Sequence, residues 1–143
     1  MLNLRDSWQF WALIAGAFAA LTAILIKLGI EEINSDYATF IRTLIILPLL
    51  AAFLYFSGQF KNPEPISART ISFLSLSAIA TAASWLAYFR ALKIGNVSQV
   101  APLEKISILL VALFGVLFLR ENFSALNWLG LMLILLGTLL IGR

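Results

Sequence analysis

Five long apolar segments dominate the chain, and they constrain its fold more than any other feature. They are residues 8–30, 37–57, 70–92, 97–119 and 125–141. A helix needs about 20 mainly apolar residues to cross the hydrocarbon core of a bilayer. We therefore predict an all-α, polytopic membrane protein, with five transmembrane helices in a single domain over residues 1–143.

The composition of the chain excludes several other classes of protein. Hydrophobic residues make up 62% of the sequence and charged residues 12%, whereas an ordinary soluble domain is about 25% charged. The sequence has no Cys and no His, which argues against thiol catalysis and most transition-metal sites. Its basic residues are spread singly, which argues against nucleic-acid binding. We expect no enzyme activity, no cofactor and no nucleic-acid partner.

The positive charges give almost no preferred orientation in the membrane. Five spans place four of them (Arg5, Lys61, Arg69, Arg120) on one side and five (Lys27, Arg42, Arg90, Lys93, Arg143) on the other. The positive-inside rule depends on the difference between such counts. Two interpretations stay open: one dominant loop fixes a single orientation, or copies insert in both. Two inverted copies would give the inverted-repeat plan of many transporters.

The fourth segment carries two adjacent charges, Glu104 and Lys105. Glu104 lies roughly 10 Å into the helix, where an ionisable group costs about 2.5–3.5 kcal/mol. Pro102 lacks an N–H group, so we expect a kink and a free carbonyl beside the charges. The pair is either a structural ion pair that fixes the register of the helix, or a contact for substrate or a coupled proton. Charges inside the membrane favour the second interpretation.

We do not expect Glu104 and Lys105 to share a helix face, because adjacent positions are about 100° apart. One should face a cavity while the other pairs with a neighbouring helix. The candidate partners for Glu104 are Arg42, Lys27 and Arg90, which all lie toward the same side of the membrane. Lys27 and Arg42 could instead extend to the lipid headgroups.

Small and hydroxylated residues recur along one face of the third segment. Spacings of three, four and seven bring together Thr70, Ser77, Thr81, Ser84 and Tyr88, with Trp85 beside them. The face is either a close packing surface between helices or the wall of a water-accessible site for a polar substrate. In the fifth segment, Gly130 and Gly137 lie one heptad apart. They would allow close approach of another helix, as at a dimer seam.

At these motifs the sequence resembles the EamA-type branch of the drug/metabolite transporter superfamily. It is most similar to the small bacterial and archaeal transporters with a single five-helix repeat. The matching stretches are residues 19–29, 38–43, 85–95, 100–107, 119–121, 128–130 and 137–138. Residues 100–107 and 119–121 are the most specific of them.

The resemblance implies one half of an inverted-repeat, ten-helix transporter. By that likeness helices one, three and four line a central cavity, helix two is peripheral and helix five seals the seam between the halves. A lone unit should then work as an antiparallel homodimer in the bilayer of the cell inner membrane. Many longer relatives have no ion pair at the position of Glu104 and Lys105, so their sites cannot be transferred to this chain.

The leading functional hypothesis is a secondary transporter that moves a small polar metabolite, anionic or zwitterionic, by alternating access. Lys105 would bind the anionic group, and Glu104 would pair with Arg42 or take a coupling proton. The predicted substrate contacts are Ser77, Thr81, Ser84, Trp85 and Tyr88.

Two alternatives remain open. The first is a proton-coupled exporter of organic cations or drugs, in which Trp85 and Tyr88 make cation–π contacts. The second is a non-transporting membrane assembly subunit that packs a larger partner through Gly130 and Gly137.

Overall fold

Six helices form the described part of the chain in the computed structural model, which describes residues 7–60 and 65–142. They are α1 (Trp8–Gly29), α2 (Ser35–Phe56), α3 (Ala68–Ile94), α4 (Val97–Glu104), α5 (Ser107–Leu119) and α6 (Ala125–Ile141). The prediction of an all-α protein is confirmed. Arg5, Lys61 and Arg143, which enter the charge count, lie outside the described residues.

Four stretches of the described chain are long and apolar enough to cross a membrane. Three are α1, α2 and α3, and the fourth is Val97–Leu119, which contains α4 and α5. The last helix, α6, has 17 residues and stands at the lower limit of length for a spanning helix. These are the helices of a polytopic membrane protein, as predicted.

Side-chain caps explain where three of the helices begin. The Asn34 side chain accepts hydrogen bonds from the N–H groups of Asp36 and Tyr37, at 2.8 and 3.3 Å. As a result α2 begins at Ser35, two residues before the predicted segment. The hydroxyl of Ser67 caps α3 and that of Ser124 caps α6 in the same way. Each cap satisfies an N–H group that the first turn of a helix leaves without a partner.

The predicted fourth helix is divided in two at Lys105 and Ile106. The N–H of Lys105 donates to the carbonyl of Pro102 at 2.9 Å, and that of Ile106 donates to Leu103 at 3.1 Å. Bonds over three residues belong to a 3₁₀ turn, which is tighter than an α-helix. Pro102 lacks the N–H that would donate to the carbonyl of Ser98, and the 3₁₀ turn begins at the carbonyl of Pro102 itself. The irregularity predicted beside the charges is present, but it lies at Lys105 itself.

The helices group into two compact units. One unit contains Met1–Lys27 and Ile94–Arg143, with most of α1 and with α4, α5 and α6. In this unit α6 packs against α4 and α5. The other unit is Leu28–Lys93 and contains α2 and α3, with Ile30, Phe89 and Leu92 fully buried.

Many large apolar side chains of the protomer are exposed. The first part of α3, residues 68–84, is exposed at every position. In a membrane such surfaces contact lipid tails, which are as apolar as leucine, or a neighbouring helix. The protomer therefore leaves large helix faces free to contact lipid and a further chain.

Candidate functional site

A groove of about 540 Å³ lies between α2 and α3, within the unit Leu28–Lys93. The residues that line it are Asp36, Thr39, Phe40 and Thr43 of α2 and Leu74, Ser77, Ala78, Thr81, Ala82, Trp85 and Leu86 of α3. Small-molecule sites typically have volumes of about 300–1,000 Å³, and combine apolar walls with a few polar groups. The groove has both properties.

The α3 wall of the groove contains three of the predicted substrate contacts. Ser77, Thr81 and Trp85 follow one another at intervals of four residues, so they lie on one side of the helix. Ser84 and Tyr88 are not among the lining residues. Ser77 is at the edge of the groove, and Ser84 lies about 20° further around the helix, just beyond that edge. Tyr88 lies two residues beyond Leu86, the last residue that lines the groove. Of the hydroxylated face, the groove thus includes Ser77 and Thr81 but not Ser84 or Tyr88.

The α2 wall was missed by the sequence analysis, which followed the resemblance in treating helix two as peripheral. Asp36, Thr39, Phe40 and Thr43 are spaced as one helical face. The hydroxyls of Thr39 and Thr43 donate to the carbonyls of Ser35 and Thr39, each at 2.9 Å. Both oxygens can still accept a hydrogen bond from a ligand. The spacing criterion that found the α3 face also identifies this one.

An ion pair between Asp36 and Arg90 lies at one end of the groove. Nε of Arg90 donates to Oδ1 at 2.8 Å, and Nη2 donates to Oδ2 at 2.6 Å. Two parallel bonds of this kind are the specific geometry of a guanidinium with a carboxylate. Asp36 also lies in the first turn of α2, where the helix dipole stabilises a negative charge. Arg90, a predicted partner of Glu104, is therefore engaged by Asp36.

Arg42 packs on the aromatic side chains beside the groove. Its guanidinium carbon lies 4.4 Å from the centroid of the Trp85 ring and 5.8 Å from that of Phe89, which are cation–π distances. The ion pairs within residues 7–60 and 65–142 are Arg90–Asp36 and Lys105–Glu104. In that part of the chain Arg42 is a half-buried cation without a carboxylate partner. Its observed contact is with Trp85, where the sequence analysis expected Glu104.

The two adjacent charges of the fourth segment pair with each other. Nζ of Lys105 donates to Oε2 of Glu104 at 2.8 Å, although neighbouring positions on a regular helix point apart. A 3₁₀ turn also separates adjacent positions, by about 120°, so the contact is made by the long lysine side chain, which folds back toward the carboxylate. This geometry matches the structural ion pair that the sequence left open. Neither residue lines the groove.

Two other lysines bind backbone carbonyls. Nζ of Lys27 donates to the carbonyl of Gly95 at 2.9 Å. Lys93 binds the chain that follows α1: its Nζ donates to the carbonyls of Ile30, Glu31 and Ile33. An ammonium group satisfies carbonyls that a helix end leaves without N–H partners. The sequence analysis left Lys27 open between Glu104 and the lipid headgroups, and it gave Lys93 no specific role.

Gly130 and Gly137 lie beside the packed face of α6. The buried residues Leu131 and Thr138 each follow a glycine by one position, which is about 100° around the helix. A Cβ atom on either glycine would meet nothing within 4 Å. Within the protomer there is therefore space for a Cβ atom at both glycines.

Comparison with known proteins finds relatives over almost the whole chain. The family model of the EamA-like transporter family matches residues 6–143. An uncharacterized transporter from the cobO 3' region of a Sinorhizobium species is 56% identical over 138 residues, or 96% of this chain and 98% of that protein. The probable 4-amino-4-deoxy-L-arabinose-phosphoundecaprenol flippase subunit ArnE of Hamiltonella defensa is 30% identical over 105 residues, or 68% of this chain and 95% of that protein. No solved structure matches the chain.

Proposed function

Since the chain belongs to the EamA-like transporter family, and is therefore a membrane transporter, we propose that it moves a small polar metabolite across the cell inner membrane by alternating access. The substrate is anionic or zwitterionic. The observation that carries this proposal is the groove between α2 and α3. Trp85 offers a flat apolar surface, and Thr43, Ser77 and Thr81 offer hydroxyl groups that can orient a polar ligand.

Arg42 is the proposed partner for the anionic group of the substrate. Arg42 lies beside the groove and is not one of its lining residues, but it is half-buried, it packs on Trp85 of the groove wall at 4.4 Å, and no carboxylate pairs with it in the described chain. Lys105, to which the sequence analysis gave this role, is already paired with Glu104 at 2.8 Å. We propose that the Glu104–Lys105 pair, besides its structural role, serves proton coupling, in which protonation of Glu104 would release Lys105.

The proposed working unit is an antiparallel homodimer. Phe40 and Leu74, on opposite walls of the groove, are 56% and 62% exposed, so a single unit Leu28–Lys93 does not enclose a substrate. A second, inverted copy would supply the missing wall. The nearly equal positive charge on both sides of the membrane permits both orientations. An inverted pair of units is also the arrangement on which many alternating-access transporters are built.

Replacement of Trp85 by alanine tests the groove as the substrate site. We expect Trp85→Ala to lower uptake into proteoliposomes by about tenfold, because it removes both the stacking surface and the cation–π support of Arg42. Uptake is measured with a panel of labelled amino acids, organic acids and sugar phosphates. Trp8→Ala is the matched control, since Trp8 is exposed at the start of α1. Uptake by Trp85→Ala at the wild-type rate, in a variant with unchanged helicity, would contradict the proposal.

A second function is favoured by the relative named as a flippase subunit and by the open side of the groove. Phe40, Leu74 and Leu86 give the groove an apolar border along which the chain of a lipid-linked substrate can lie, while its polar headgroup occupies the groove. As one subunit of a flippase, the chain would work with a different membrane protein. It shares with the assembly-subunit hypothesis the need for a different partner chain, but it differs from that hypothesis because the subunit itself would contact the transported substrate.

The composition of the assembly in native membranes separates these two functions. Crosslinking followed by mass spectrometry yields pairs of this chain if the homodimer is correct. Recovery of complexes only with a second, different chain supports the flippase subunit and rejects the homodimer.

A further inference from the structure

Asp36 is the one charged residue, among those described, that lines the groove. We propose that its carboxylate binds a protonated amino or guanidino group of the substrate, and that Arg90 occupies the carboxylate until the substrate displaces it. This inference rests on the proposed function, and it narrows the substrate class to zwitterions that carry a cationic nitrogen.

The contacts of Asp36 show that its carboxylate can hold such a group. It accepts two hydrogen bonds at once from Arg90, at 2.8 and 2.6 Å, while it remains part of the groove wall. An alkylammonium or guanidinium ligand presents the same kind of donors. Thr39 and Thr43 follow on the same face of α2, and their hydroxyl oxygens can accept the hydrogen atoms that Asp36 does not take.

Arg90 can leave this position easily. Its side chain is 63% exposed, and that of Asp36 is 40% exposed. Exposed ion pairs typically contribute only about 0–1 kcal/mol, with bidentate pairs at the upper end, so a ligand cation can compete with Arg90 for the carboxylate. The displaced guanidinium remains hydrated, and the incoming cation replaces its charge on Asp36. The exchange therefore leaves no carboxylate unpaired.

The positions of Asp36 and Arg42 give the axial separation of the two proposed charge contacts. They are six residues apart on α2, which corresponds to about 9 Å along the helix axis and about 120° around it. A zwitterion that uses both residues would carry its amino group at Asp36 and its acidic group near Trp85, where Arg42 lies. A compact molecule with a span on the order of 9 Å fits this separation.

Titration calorimetry of the full-length protein in nanodiscs, with empty nanodiscs as the blank, tests the proposal. The probes are phenethylamine, the neutral 2-phenylethanol and the anionic phenylacetate, which share one ring and differ in charge. We expect phenethylamine to bind more tightly than 2-phenylethanol. Asp36→Asn should lower the affinity for phenethylamine by about tenfold, because a charge-assisted hydrogen-bond acceptor is lost. Glu31→Gln, which removes a carboxylate just before α2 outside the groove lining, should leave the affinity unchanged.

The most specific test is Arg90→Ala, because it should change the affinity for phenethylamine in the opposite direction to Asp36→Asn. Arg90→Ala removes the internal competitor, so it should raise the affinity for phenethylamine by up to about fivefold. This variant keeps Asp36, so it also tests the proposal if Asp36→Asn does not fold. Weaker binding in Arg90→Ala, or equal binding of phenethylamine and 2-phenylethanol to the wild type, overturns the inference. If that happens while Trp85→Ala still lowers uptake by about tenfold, the inference fails and the proposed function stands.

Discussion

Gly137→Leu is expected to abolish self-association of the protein in the membrane, and transport with it, while the protomer remains folded. A Cβ atom at this position meets nothing within 4 Å in the protomer, and leucine is a better helix former than glycine. Association of helices in lipid depends on close approach at small residues, which a leucine prevents. Energy transfer between labelled copies in liposomes measures the association, and circular dichroism measures the helicity.

Two other glycines make this test specific. Gly16 in α1 also has no neighbour within 4 Å of a Cβ position, so Gly16→Leu controls for bulk added to an open helix face. Gly115 is the opposite case: it is buried, and a Cβ there would lie 2.7 Å from Oε2 of Glu121, whose side chain would have to move. We expect Gly115→Leu to destabilise the protomer itself. If Gly137→Leu associates like the wild type, the helix face that carries Gly137 is not at the dimer seam.

The positions of the helices were predictable from the sequence because the bilayer sets them. The length and hydropathy of each apolar segment are local properties, and a spanning helix requires a nearly fixed length. The last helix covers Ala125–Ile141, as predicted, and the first ends at Gly29, one residue before the predicted end. The start of α2 differs more, because the cap at Asn34 brings Asp36 into the helix. Asp36 had been treated as part of a connection.

The partners of the charged residues were not predictable in the same way. An ion pair requires two side chains within a few ångströms, and this depends on the rotation of each helix about its axis. The helical repeat alone does not give that rotation relative to a neighbour. For this reason Arg90 was predicted as a candidate partner of Glu104, and its actual partner, Asp36, was not predicted. The hydroxyl spacing predicted the α3 wall of the groove, and the same spacing in α2 was overlooked.

The pairing of Glu104 with Lys105 depends on the conformation of two long side chains. Adjacent side chains are about 100° apart on an α-helix and about 120° apart on a 3₁₀ turn, so the turn held by bonds to Pro102 and Leu103 does not bring them onto one face. The lysine side chain instead folds back and places Nζ 2.8 Å from Oε2 of Glu104. The helical repeat does not give the conformation of a side chain, so the partner of Glu104 required the structure.

Glu104→Gln is expected to stop proton-coupled transport and to leave the dimer intact. It also leaves the ammonium group of Lys105 without its carboxylate, 2.8 Å away in the wild type. An unpaired charge at this depth costs about 2.5–3.5 kcal/mol, so the free energy of unfolding should fall by up to that amount. Uptake driven by a pH gradient in proteoliposomes measures the transport, and unfolding in detergent, followed by tryptophan fluorescence, measures the stability.

The double variant Glu104→Gln/Lys105→Met separates the two interpretations of this pair. It removes both charges, so we expect it to recover the stability that Glu104→Gln loses, since no unpaired ion remains in the apolar segment. If Glu104 carries the coupling proton, the double variant still does not respond to the pH gradient. If the pair only fixes the helix, the double variant regains uptake together with stability. Full pH-driven uptake in Glu104→Gln alone would exclude the coupling role, and Lys105→Met, which keeps Glu104, shows whether the lysine is needed for that response.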